Sequence, residues 1–79
     1  MKIKNFKLSR ESKQIIQGSK LLSVTVSGGN IIASVEEGDD DIELLMVTDE
    51  APSDTEYIAT LNEGNMVTHV FVNSVEVEV

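Results

Sequence analysis

The chain has 79 residues, no cysteine, one histidine, 41% apolar residues and a net charge of −8, which sets the scale at one small domain and excludes disulfides, thiolate metal centres and a histidine zinc cluster. No apolar run reaches the roughly 18 residues that span a bilayer, and no apolar run follows the first lysines as it would in a signal peptide, so the expectation is a protein kept inside a cell, away from membranes. The charge is split: the first twenty residues hold all six basic side chains and one acid, +5, whereas residues 21–79 hold thirteen acids and neither Lys nor Arg, −13.

In chain order, "KIKNFKL" reads as a first strand, with Ile3, Phe6 and Leu8 as its apolar contributions. "SKQIIQ" is a short second strand ended by Gly18. A helix over "SRESKQIIQ" is not supported, because Ile15 and Ile16 are too few for an amphipathic face. "KLLSVTV" alternates, with Leu22, Val24 and Val26 pointing one way. "SGGN" supplies the positive φ of a tight hairpin, and "IIASVE" returns with Ile31, Ala33 and Val35 on one face. "EEGDDD" is expected to close a second hairpin about Gly38. "IELLMVT" sets Ile42, Leu44 and Met46 against Glu43, Leu45 and Val47. A polar loop around Pro52 follows, then "EYIATL", the turn "NEGN", "MVTHVFV" and the tail "SVEVEV". Six to seven short strands joined by hairpins argue for one all-β domain over residues 1–79, a small antiparallel sandwich or barrel.

Chemistry-bearing patterns are scarce. "VEEGDDDIE" puts six acids in nine residues but lacks the alternating ligand spacing of a calcium loop. Its plain reading is a solvated tip that keeps an edge soluble and doubles as a contact surface. His69 is the only base for a triad, and its parity in "MVTHVFV" puts it on the face of Val67 and Phe71. "SGGN" lies between two strands, not before a helix, so it is no phosphate loop. No metal, cofactor or catalytic residue is expected. The acidic body disfavours nucleic acid as a partner; acids that mimic its phosphates in a partner's groove are a minor reading. The terminal strand, 74–79, presents Val75 and Val77 opposite Glu76 and Glu78. It reads as an edge strand or as one exchanged with a neighbouring copy, meeting Lys2, Lys4 and Lys7 across strands.

The run "LLSVTVSGGNIIASV", then "TEYIATL", then "THVFV" resembles a family of small phage-encoded proteins of unknown function. The shared positions are Leu22, Ser23, Val24 and Val26; Tyr57, Ile58 and Thr60; and His69, Val70 and Phe71. The likeness covers roughly residues 2–72. It departs where the family carries a Gly-Thr-Gly-His turn and this chain has Val47-Thr48-Asp49-Glu50, and the "SVEVEV" tail runs past the family's usual end. The resemblance implies a phage origin and no defined activity. The resulting expectation is a non-enzymatic phage accessory protein in the cytoplasm of the infected cell. It would bind a host or phage protein and inhibit a host or defence factor, docking through Glu36, Glu37, Asp39, Asp40, Asp41, Asp49, Glu50 and Asp54. The alternative is a virion or assembly component that forms a homo-oligomer through its terminal strands.

Overall fold

A computed structural model describes residues 1–73. It contains seven strands: β1 (Ile3–Leu8), β2 (Lys13–Gln17), β3 (Lys20–Ser27), β4 (Asn30–Glu36), β5 (Asp41–Val47), β6 (Thr55–Glu63) and β7 (Met66–Asn73). They form two antiparallel sheets, one ordered β1-β4-β3 and the other β2-β5-β7-β6. The fold is a small all-β sandwich, as the spacing of short strands and turn signals predicted. The tail 74–79, expected as an edge or exchange strand, lies outside the described residues.

The core follows from period-2 alternation. On β4, Ile31, Ala33 and Val35 are buried, and on β5 so are Ile42, Leu44 and Met46. Leu8, Ile16, Val24, Leu61 and Val70 complete the layer between the sheets. Leu44, Val35 and Val70 are fully buried, each worth roughly 1.5–3 kcal/mol of transfer free energy. Among the described residues no polar side chain is buried with them.

Two hairpins form where glycine allows them. Ser27 pairs with Asn30 across Gly28 and Gly29, whose φ values of 57° and 82° suit the tight twist of a two-residue loop. Glu63 pairs with Met66 across Gly64, φ 63°, and Asn65.

The acidic run does not close a hairpin, contrary to expectation. β4 and β5 belong to different sheets, so residues 37–40 are a strap that changes layers. The reason is that β4 is the central strand of its sheet. β1 and β3 already occupy both of its edges, which leaves no ladder for β5. Gly38 is not at positive φ, so it does not supply a turn. It supplies space: a Cβ there would lie 2.6 Å from the Ser19 amide nitrogen. The strap runs beside the β2–β3 connection, which also changes sheets. Gly18 N–H donates to the Asp40 carbonyl at 3.0 Å, Ser19 N–H to that of Glu36 at 2.8 Å, and Glu37 N–H to that of Lys2 at 2.8 Å.

A second departure lies in β3. The register shifts between Leu21 and Ser23, a bulge that flips the parity before it. Leu21 therefore packs against the core while Leu22 is 38% exposed.

Candidate protein-docking face

The outer face of the four-stranded sheet is the unusual surface. Register places Lys13, Leu45, Phe71 and Tyr57 in one row across β2, β5, β7 and β6, and Val47, His69 and Thr60 in the next. An outward face of an antiparallel sandwich is ordinarily polar. Here Leu45, Val47, Phe71, Tyr57, Val67 and Ile15 point away from the core. Tyr57 is 55% exposed, Ile15 59% and Val67 42%. The local sequence produces this directly: "ELLMV" and "THVFV" are apolar at both parities, so each strand buries one set and leaves the other outside.

The aromatic centre is ordered by its own contacts. The Tyr57 and Phe71 rings meet edge-on, with centroids 5.8 Å apart and planes at 71°, the geometry favoured by their quadrupoles. The Tyr57 hydroxyl lies 2.7 Å from Thr60 Oγ1, which lies 2.9 Å from His69 Nδ1. His69 thus sits on the face of Val67 and Phe71, as its parity predicted, in a side-chain chain of three rather than alone. The sequence carried no signal for this chain, because a bulge between Tyr57 and Ala59 sets the registration of Thr60 with His69.

Beside the aromatic row, Glu43 accepts from Asn73 Nδ2 at 2.6 Å and lies 3.4 Å from Lys13 Nζ. The Asn73 amide, with the lysine adding to it against some desolvation, holds the Glu43 carboxyl below its ordinary range.

The expected binding acids fall in two groups. Glu36 ends β4, Glu37, Asp39 and Asp40 lie on the strap, and Asp41 opens β5. Asp49, Glu50 and Asp54 lie on the connection leaving it, where Asp54 adopts φ 59° and Thr55 Oγ1 donates to the Pro52 carbonyl at 2.9 Å. β5 and β6 both run antiparallel to β7 between them, so that connection is a crossover. All but Glu36 are exposed. Glu37 approaches Lys4 Nζ at 3.9 Å, and Asp41 accepts from Gln17 at 3.2 Å. Among the described residues no three His, Cys, Asp or Glu side chains converge as metal ligands.

Lys2, Lys4 and Lys7, expected to meet the tail, belong to or adjoin β1, which pairs with β4 on one side and is an edge among the described residues on the other. Val75, Glu76, Val77 and Glu78 lie outside the described residues.

Sequence reasoning missed Arg10. Its guanidinium grips Glu63 with both terminal nitrogens, at 2.5 and 2.6 Å, and also donates to the Gly29 carbonyl at 3.0 Å. The fork joins the β1–β2 connection to both hairpins. The hydrogen bonds from Arg10, reinforced by its charge and opposed by desolvation, hold the Glu63 carboxyl below the usual carboxylate range. The only available signal was that Arg10 is the sole arginine among six basic residues.

No family model matches the chain, and neither the curated proteins nor the solved structures yield a match.

Proposed function

We propose that the protein acts by binding another protein, through the outer face of the four-stranded sheet. The observation that carries this reading is the row Leu45–Phe71–Tyr57, apolar and aromatic on a face that a lone sandwich would leave polar. Acid-bearing connections lie at both ends of β5, the strand that contributes Leu45 and Val47. An apolar, aromatic centre with a polar margin is the ordinary composition of an interface, and exposed tyrosine is a preferred anchor. The partner is identified by charge: with −8 on the chain, a protein with an apolar centre and a basic rim is drawn in and a second copy is repelled. On the phage resemblance of the core strands, that partner is a protein of the infected cell, which docking would occlude.

The test is capture from infected-cell lysate, repeated with Tyr57→Ser and with Asp39, Asp40 and Asp41 all changed to Asn. A basic protein held by the wild-type chain, lost with Tyr57→Ser and made less salt-sensitive by the triple change, supports the reading. Capture indifferent to Tyr57 sinks it. The edge of β1, lined by lysines and without a strand partner among the described residues, favours a second reading: assembly of copies through the acidic tail. Deleting residues 74–79 should abolish self-association under that reading and leave partner capture intact under the first.

A further inference from the structure

His69 stands half-buried on the outer face of the four-stranded sheet, with Val67 and Phe71 at the same parity on β7. Register sets Val47 of β5 on one side of it and Thr60 of β6 on the other. The other titratable groups that β5 and β6 bring to this face are Tyr57 and Glu43, the latter engaged by Asn73 and by Lys13 of β2. Asp49 and Glu50 follow Val47 on the connection at the margin. Glu56 and Glu63 pair with Val72 and Met66, in rows of the other parity. The imidazole meets Thr60: Nδ1 lies 2.9 Å from Thr60 Oγ1, which is 2.7 Å from the Tyr57 hydroxyl.

Hydrogen count ties the directions of these two bonds together. A hydroxyl carries one hydrogen, and a neutral imidazole has one donor and one acceptor nitrogen. With Nδ1 accepting, Thr60 donates to it and Tyr57 donates to Thr60. Both hydroxyl hydrogens then lie within the chain, its bonds reinforce one another, and the Tyr57 oxygen turns its lone pairs outward. A protonated ring has a hydrogen on both nitrogens. Nδ1 must then donate to Thr60, Thr60 donates on to Tyr57, and the phenolic hydrogen is released outward.

We propose that His69 is a proton switch on the docking face. In its neutral form Tyr57 is an outward acceptor, suited to a partner that sets an arginine, lysine or backbone N–H against the phenolic oxygen. In its protonated form Tyr57 is an outward donor and the face gains a positive charge opposite a basic rim, so docking weakens in acid. The consequence for docking rests on the function proposed for this face; the switch itself is a property of the free protein.

An imidazole changes charge between about pH 5 and 8, whereas a phenol keeps its hydrogen to far higher pH, so NMR of the whole free chain separates the two. At the upper end the ring-nitrogen shifts of His69 should place its hydrogen on Nε2. As pH falls, the Tyr57 Cζ shift, which reports how its hydroxyl is bonded, should follow the His69 titration. Thr60→Val removes the link without moving the charge and should uncouple Tyr57 from that titration. Thr60 is exposed on an edge strand, where valine is a good strand former, so this variant keeps the fold. A neutral ring with its hydrogen on Nδ1, or a Tyr57 response that survives Thr60→Val, would overturn the proposal. In capture experiments, a partner held through Tyr57 should be retained about fivefold less in acid, the worth of one ordinary hydrogen bond, and His69→Gln should remove the difference. Retention through Tyr57 that is equal across this range overturns the switch and leaves the docking function standing. Capture indifferent to Tyr57 sinks the docking function, and the spectra then decide the switch alone.

Discussion

Arg10 shows how one side chain can join elements that sequence separates widely. A lysine could reach Glu63 but could not present the planar fork that also serves the Gly29 carbonyl. Arg10→Lys should therefore lower thermal stability nearly as much as Arg10→Met. The pH dependence follows from Glu63. Its folded-state carboxyl titrates below its unfolded value, so its contribution is present above the unfolded value and is lost as pH falls through the folded one. The melting temperatures of wild type and Glu63→Gln should differ at neutral pH and converge in acid; a constant gap across that range would refute the assignment. Gly38 offers a sharper contrast. An alanine there must displace Ser19 backbone, an overpacking cost of roughly 1–3 kcal/mol. Gly29→Ala meets open space but must hold φ 82°, costing about 1–2 kcal/mol. Sequence reading assigned Gly38 to turn chemistry because glycine among acids looks the same whether φ or volume demands it.

The strands themselves were legible, since alternation on β4 and β5 and the glycine pairs of the hairpins are local signals. What was not legible was which strands share a sheet. The "EEGDDD" segment satisfies every short-range rule for a hairpin, and only the prior occupation of both β4 edges forbids one. The parity of β3 was hidden for a similar reason: a bulge depends on the partner strand. Two substitutions measure it by urea denaturation. Leu22→Thr should stay within about 0.5 kcal/mol of wild type. Leu21→Ala, on the packed side, should cost about 1–2 kcal/mol, less than a full core truncation. The sheet edges are also informative. β3 and β6 carry bulges, β2 has five residues and β1 carries Lys4 and Lys7, all recognised means of discouraging strand addition. This favours docking through side chains over pairing of open edges.

Across the whole molecule, the charge split of the sequence is partly closed within one subunit. Lys4 meets Glu37, Arg10 meets Glu63, Lys13 meets Glu43, and Lys20 stands opposite Glu36. Three of the six basic side chains are thus ion-paired within the described residues, and the net charge that solvent and partners encounter is acidic. Stability rests on one thin layer. A domain of this size holds roughly 4–12 kcal/mol, while Leu44→Ala removes about 2–5 kcal/mol. That variant should show a lower urea midpoint with the slope preserved.

The strap places Lys2 beside Glu37, and Asn73 pairs with Thr55 and touches Glu43, so both described chain ends emerge at the strap end of the sandwich. The Gly28–Gly29 turn stands at the far end, with open space where its side chains would be and the Arg10 guanidinium on the Gly29 carbonyl. The chain is therefore suited to circular permutation. Joining the two ends by a short linker and opening the backbone at Gly28–Gly29 would rewire the connectivity without disturbing a sheet ladder. It would also move fused tags and labels away from the acidic end, to the far pole of the molecule.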